Sequence, residues 1–311
     1  MAETRIGAGP KGLSSVDKSG IGAMRRSFNT NGWLFVSVAL ALIAIFTIYP
    51  LGNSIWTMLH AGSGAREKFV GLGNIARLFQ DPIFLTSLLN TALFFVIQVP
   101  LMLLLAIVVA SALNSPKMKF KGLFRTLIFL PCVTSLVTYS VLFRGMFGTD
   151  GIVNVTLETL HIINGPIPWL SDALWSRVLI IVAITWRWVG YNMIFFLAAM
   201  QNIDKSIYEA ARIDGVPSTG RFAGLTVPML KPVILFTAVT STIGTLQLFD
   251  EPMNLTHGGP ADATLTMSMY IYNLTFVYIP NYGYAATVSY AILLLVVALA
   301  FVQFYVGRDK D

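Results

Sequence analysis

The residues best suited to bind a polar ligand lie inside two strongly apolar stretches of the chain. Burying polar side chains in lipid is costly, so such residues usually face a partner or a water-filled path. Hydroxyl and amide groups can hydrogen-bond a polar ligand, and an aromatic ring beside them can pack against it. The candidates for a substrate path are Arg187, Tyr191, Asn192, Ser241, Thr245 and Gln247. Helix packing is the alternative for the hydroxyl residues, since Ser and Thr often bond across membrane helices.

Arg187 is the clearest of these candidates because it is charged. It either lines a cavity, where an anionic substrate is conceivable, or is a structural arginine bonded to carbonyls or to a carboxylate of a partner subunit. Asp250 and Glu251 follow the next apolar stretch, and we expect them to be exposed loop residues rather than gate or partner contacts. The acidic residues and histidines have no spacing typical of acid/base catalysis or of a metal site.

Long apolar stretches position these candidates. The chain is 55% hydrophobic and only 12% charged, which is too apolar for a soluble domain. A helix needs about 20 apolar residues to cross a bilayer. We therefore predict an all-α, polytopic membrane protein with six transmembrane helices, at about 33–56, 84–113, 124–147, 178–200, 225–248 and 284–306.

The distribution of Lys and Arg predicts the orientation of these helices. Fifteen of these residues fall in the N-terminal tail, the loops after the second and fourth spans, and the C-terminus, against five in the remaining loops. Basic residues favour the cytoplasmic side, so both termini are expected there, with residues 1–32 as a disordered tail. The net charge of +6 reflects this asymmetry and does not indicate a nucleic-acid partner.

The cytoplasmic loop at 201–228 is predicted to fold as a helix, a glycine elbow and a second helix. Asp204 suits an N-cap, and Gly215 suits a left-handed stop. Pro217 suits the first turn of the second helix, and Pro228 marks its passage into the fifth span. The residues expected to contact a partner are Glu209, Ala210, Ala211, Asp214 and Gly215.

This loop resembles the EAA loop of the membrane subunits of ATP-binding cassette (ABC) importers. The resemblance rests on Glu209-Ala210-Ala211, Gly215 and Pro228, and residues 186–203 are similar to the carbohydrate-uptake branch. A second resemblance lies on the opposite face, where residues 255–260 and 69–74 look like the maltose-type first permease. Its outer loop would contain Gly258, Gly259 and Pro260, while His257 departs from the small residue that is commoner there.

The resemblance implies a subunit that does not work alone. A second, distinct permease would form a heterodimer with this chain in a bacterial inner membrane, and both would share the translocation path. Two cytoplasmic ATPases would receive the EAA helix, and an extracytoplasmic solute-binding protein would deliver the substrate. The chain has no GxxxxGK[ST] loop, so it is expected to be a transport subunit without an ATPase site or cofactor, the partners binding ATP and Mg²⁺. By resemblance, Tyr191, Ser241 and Thr245 would line the sugar path.

Two other function classes and one local ambiguity stay open at this point. An ion-coupled secondary transporter would show intramembrane carboxylates and an inverted repeat, and a membrane-embedded lipid or glycan enzyme would show a polar catalytic cluster. The segment at 264–279 is either interfacial or partly inserted, with Tyr270, Tyr272 and Tyr278 as expected interfacial anchors. The sugar itself is not specified by these residues.

Overall fold

The computed structural model describes residues 32–62 and 67–308, in two units that divide after Trp56. The predicted tail at 1–32 lies outside the described residues except for Gly32. The first unit contains α1 (Gly32–Met58), whose last two residues open the second unit. This helix is apolar along its 27 residues and includes a π-helical turn at Ala44–Ile48. At 1.5 Å per residue it is about 40 Å long, enough to cross a bilayer.

The described residues of the second unit are mostly helical, with one short antiparallel pairing near the start. The strands are β1 (His60–Ala61) and β2 (Lys68–Phe69), and the helices are α2 (Gly73–Leu78), α3 (Pro82–Asn114), α4 (Lys121–Val133), α5 (Leu136–Met146), α6 (Ile152–Thr159), α7 (Ala173–Gln201), α8 (Lys205–Ile213), α9 (Ser218–Met229), α10 (Lys231–Leu246), α11 (Met267–Tyr272) and α12 (Tyr282–Gly307).

Among the described residues, four helices are long and apolar enough to cross a membrane individually. They are α1, α3, α7 and α12. Two further candidates are bent pairs, α4 with α5 at 101° and α9 with α10 at 68°, which bring the number to six if each pair is one span. The helices predicted at 124–147 and 225–248 are therefore each interrupted by a bend, and the count of six spans stays a prediction.

Proline and local backbone geometry explain both breaks. Pro131 lies near the end of α4 and has no N–H to donate, and Thr134 and Ser135 then adopt ψ near 139° and 135°, which ends the helix. At the second break, Leu230 has ψ = −4° and Pro232 opens α10. The ring of Pro232 would clash with the carbonyl four residues earlier in a continuous helix, so the chain bends there.

The core of the second unit is built on the packing of α7 against α3 and α4. Ala106 and Phe196 are fully buried in the cluster between α3 and α7. Gly190 lies directly against α4, where an added Cβ would come within 2.0 Å of the Ile128 carbonyl oxygen. Only a glycine lets the two backbones approach this closely, so the position of α7 depends on it.

The segment at 264–279 is packed inside this unit over its first part, whereas Phe276 and Ile279 near its end are 72% and 90% exposed. Its residues Thr264 and Met267 are fully buried, and α11 contacts α3 and α12. Tyr270 is 2% exposed, so the prediction that it anchors an interface is wrong. Tyr278 is 45% exposed. The semi-apolar composition of α11 reflects a buried helix with one hydrogen-bonded hydroxyl.

The Asp81 carboxylate accepts a hydrogen bond from the Tyr270 hydroxyl and joins the start of α3 to α11 and α12. It caps α3 by accepting from the N–H groups of Ile83 and Phe84, and accepts from the hydroxyls of Tyr270 at 2.5 Å and Tyr284 at 2.6 Å. Burial acts to raise the pKa of Asp81, but these hydrogen bonds stabilise the anion and together hold its pKa below the usual value.

Candidate functional site

A cavity of about 320 Å³ lies between α7 and α10, with α3 as a third wall. Small-molecule sites commonly have volumes of about 300 to 1,000 Å³. All six residues predicted for the substrate path line it: Arg187, Tyr191, Asn192, Ser241, Thr245 and Gln247. Their role in binding stays a prediction, but the structure brings them together.

Helix periodicity explains this convergence. Arg187 and Tyr191 are four residues apart on α7, and Ser241 and Thr245 are four apart on α10, so each pair lies on one helix face. Gln247 follows the end of α10 and lies at the edge of the same wall. The α7 face meets the α10 face across the cavity because both helices also pack against α3.

Arg187 forms a buried ion pair with Glu251 of the same chain. Its Nη1 donates to Glu251 Oε1 at 3.2 Å, and the two side chains are 11% and 3% exposed. The expectation that Glu251 is an exposed loop residue is therefore wrong, and the carboxylate that pairs with Arg187 does not belong to a partner subunit. The charges compensate each other, which makes burial of both tolerable.

The aromatic residues around Arg187 complete this part of the wall. The guanidinium carbon lies 5.6 Å from the ring centre of Tyr139 and 5.4 Å from that of Trp188. Trp188 in turn packs edge-on against Tyr191 at 5.7 Å. Cation–π contacts of this kind stabilise a partly desolvated arginine. Trp188 and Phe249 line the cavity and were missed from sequence because aromatic residues are common in apolar stretches.

A second polar contact ties the cavity wall to α3. Thr245 Oγ1 donates to Gln98 Oε1 at 3.0 Å, and both side chains are buried. Gln98 was also missed, although an amide in the middle of an apolar stretch is itself a signal. Asn192 Oδ1 and Arg187 Nε are buried and have no hydrogen-bond partner among the described residues. These two buried atoms are therefore left unsatisfied by the described contacts.

The loop between α7 and α10 forms the predicted helix, elbow and second helix. Asp204 caps α8 by accepting from the Ser206 N–H at 2.9 Å. Gly215 has φ = 72°, the left-handed conformation expected of a C-terminal stop, and the Val216 N–H bonds back to the Ala211 carbonyl. Pro217 precedes the second helix as its N-cap and does not lie in its first turn.

Side-chain contacts join the two helices of this loop. The Tyr208 hydroxyl lies 3.0 Å from Thr226 Oγ1, and Arg221 Nη1 donates to the Val216 carbonyl at 2.6 Å. Because α9 leads into α10, these contacts connect the loop with a wall of the cavity. The loop is thus braced at both its elbow and its far end.

One face of this loop is open. Glu209, Ala210, Asp214 and Gly215 are exposed, whereas Ala211 is buried. A groove of about 480 Å³ runs between the helices, lined by Ile207, Ala210, Ala211, Asp214, Val216, Gly220, Gly224 and Leu225. Four of these eight residues are Gly or Ala, which allows another backbone or side chain to approach closely.

The predicted outer loop has a fixed backbone. Gly258 has φ = 82° and is buried, and the Gly259–Pro260 peptide bond is cis. Thr264 Oγ1 lies 2.6 Å from Thr256 Oγ1 and donates to the Gly259 carbonyl at 2.9 Å. The start of this loop is held by Arg144, whose Nε donates to the Leu255 carbonyl at 3.0 Å.

Two transport system permease proteins are similar to this chain over most of its length. The lactose transport system permease protein of Rhizobium radiobacter is 60% identical over 290 residues, which cover 93% of this chain and 97% of that protein. The arabinooligosaccharides transport system permease protein of Halalkalibacterium halodurans is 31% identical over 276 residues, which cover 88% and 86% of the two chains.

The fold is similar to that of a chain in the crystal structure of a bacterial ABC transporter involved in the import of the acidic polysaccharide alginate. The TM-score is 0.79 at 20% identity, over 92% of this chain and 98% of that one. A family model described as binding-protein-dependent transport system inner membrane component matches residues 69–309. This chain therefore belongs to the family of inner-membrane components of binding-protein-dependent transport systems.

Proposed function

We propose that this permease subunit of an ABC importer carries lactose or a closely related neutral disaccharide. The observation that carries the proposal is the 60% identity to a lactose permease, extending over 97% of that protein's length. The identity also extends over 93% of this chain. The alternative of an ion-coupled transporter lacks comparable support.

The cavity between α7 and α10 supplies the groups that a disaccharide needs. Ser241, Asn192 and Gln247 offer hydroxyl and amide groups, and Tyr191 offers a ring against which a pyranose face can pack. A second permease subunit would close the open side of the cavity and complete the translocation path. Sugar hydroxyls would replace hydration with hydrogen bonds to this wall, which is sufficient to hold a neutral solute briefly.

The α8–α9 loop is proposed to receive the force that drives transport. An ATPase subunit would bind in the groove, with Glu209 and Asp214 offering charge to basic groups of that partner. ATP and Mg²⁺ would be bound by two such ATPases on the cytoplasmic side. Because Tyr208 joins α8 to α9 and α9 leads into α10, displacement of the loop would reach the cavity wall.

Reconstitution of the complete importer tests this proposal. The chain should be co-expressed with its second permease, ATPase and extracytoplasmic binding protein, and the complex placed in liposomes. We expect uptake of radiolabelled lactose that depends on ATP and on the binding protein, and that unlabelled lactose inhibits more strongly than arabino-oligosaccharides. Lactose transport by the purified chain alone, driven by an ion gradient, would contradict the proposal and favour a secondary transporter.

A further inference from the structure

The Arg187–Glu251 pair occupies an unusual place for a structural ion pair. Both residues line the candidate sugar cavity, and they are 64 positions apart in the chain, one on α7 and the other after α10. The pair's position in the wall gives it direct access to what the cavity contains.

Glu251 limits what Arg187 can bind. A guanidinium binds carboxylates strongly, and an unpaired arginine in a partly desolvated cavity would attract acidic sugars. Here Glu251 Oε1 already accepts from Nη1, while Nε is buried without a hydrogen-bond partner among the described residues. A substrate carboxylate approaching Arg187 would meet the charge of Glu251 at hydrogen-bonding distance from the same group.

The fold itself does not decide the charge of the substrate. A chain of the same fold belongs to a transporter of the acidic polysaccharide alginate, at only 20% identity. Any discrimination between neutral and acidic sugars by this chain therefore depends on the side chains that line its cavity. The charged residues among those lining it are Arg187, Asp250 and Glu251, and only Glu251 pairs with the arginine.

We propose that Glu251 is a specificity-determining residue that neutralises Arg187 and thereby excludes anionic sugars from the cavity. This inference rests on the proposed function, because it assumes that the cavity binds a neutral disaccharide. The pair leaves hydroxyl recognition to the surrounding residues. Removal of the carboxylate would convert Arg187 into a binding group for a sugar acid.

Competition binding to the purified membrane complex, without the binding protein, tests this inference. The probes are lactobionate, which is lactose oxidised to a carboxylate at its reducing end, and lactitol, its uncharged open-chain counterpart. Each would displace radiolabelled lactose from wild type and from Glu251→Gln. We expect lactobionate to bind at least about tenfold more weakly than lactitol to wild type, and this difference to disappear or reverse in the variant.

Asp250→Asn provides a matched control. It removes the same charge from the same cavity but leaves the Arg187–Glu251 pair in place. We expect the preference for lactitol over lactobionate to persist in this variant. An equal gain in lactobionate binding by Asp250→Asn and Glu251→Gln would overturn the assignment to Glu251, because it would show an effect of net charge alone.

A second variant addresses the folding risk of an unpaired buried arginine. In the double variant Arg187→Lys with Glu251→Gln, the lysine can lose its proton when unpaired and regain it beside a carboxylate. We expect it to bind lactobionate better than wild type as well. An unchanged ratio of lactobionate to lactitol affinity in whichever variant accumulates would overturn the inference. Failure of both variants to accumulate would also overturn it, because the pair would then be required for folding rather than for selecting the substrate. If wild type binds neither lactose nor lactitol, the proposed substrate is wrong and the inference falls with it.

Discussion

Replacement of Gly190 by alanine should displace α7 from α4 and disturb the cavity. The added Cβ would lie 2.0 Å from the Ile128 carbonyl oxygen, 2.7 Å from its carbon and 2.9 Å from Phe129 Cα, whereas ordinary contact begins at 3.4 Å. The helices must therefore separate by roughly 1.4 Å, because close-packed backbone cannot give way as a flexible side chain would. Overpacking costs about 1 to 3 kcal/mol, and contact with backbone places this site at about 3 kcal/mol.

The displacement also moves Tyr191, which follows Gly190 directly and lines the cavity. We expect Gly190→Ala to lower the thermal midpoint of the purified complex by on the order of 5 °C and to weaken lactose binding. Gly122→Ala is the control, because it lies in α4 and its added Cβ meets nothing within 4 Å. A Gly190→Ala complex with the thermal midpoint and lactose affinity of wild type would refute the packing explanation.

Three further predictions concern other parts of the chain. The Gly215→Val variant should insert normally into the membrane but take up lactose about tenfold more slowly at an unchanged rate of ATP hydrolysis. The reason is that φ = 72° strains a β-branched residue by about 1 to 3 kcal/mol. Wild-type lactose uptake per ATP hydrolysed would contradict this prediction. The Thr245→Val variant should destabilise the complex by about 1 to 3 kcal/mol in thermal unfolding, because it leaves Gln98 Oε1 without a donor. The Thr237→Val variant should destabilise it less, because the Thr237 hydroxyl bonds only carbonyls of its own helix. The ionised Asp81 carboxylate stabilises the folded protein, because its pKa is lower there than in the unfolded chain. This stability is fully present above the unfolded-state pKa of about 4, and it is lost as the pH falls through the lower pKa of the folded state. A pH series should show a smaller loss of thermal midpoint on acidification for Asp81→Asn than for wild type.

Local sequence rules predicted the features that depend on neighbouring residues. Asp204 precedes an amphipathic stretch and Gly215 ends it, so the sequence predicted both the N-cap and the C-terminal end of α8. The convergence of Tyr191 and Thr245 on one cavity was also accessible, because polar residues in apolar helices tend to face a shared interior. These inferences need only helix periodicity and the cost of burying polar groups.

Contacts between distant segments were not predictable in this way. The sequence predicts that Glu251 is an exposed loop carboxylate, and only the folding of the segment after α10 places it against Arg187. Tyr270 reads as an interfacial anchor until α3 brings Asp81 within 2.5 Å of its hydroxyl. The break after α4 was missed because Pro131 alone is tolerated in many membrane helices, and the extended conformation of Thr134 completes it.

The position of bound lactose in a structure of the assembled importer tests the central claim most directly. The complex would be trapped with ATPases, second permease and binding protein present, and the sugar located by its density. We expect the disaccharide between α7 and α10, with a ring against Tyr191 and hydroxyls bonded to Asn192 and Ser241. Lactose bound entirely within the second permease, with the cavity of this chain unoccupied, would contradict the claim that this cavity is the sugar path.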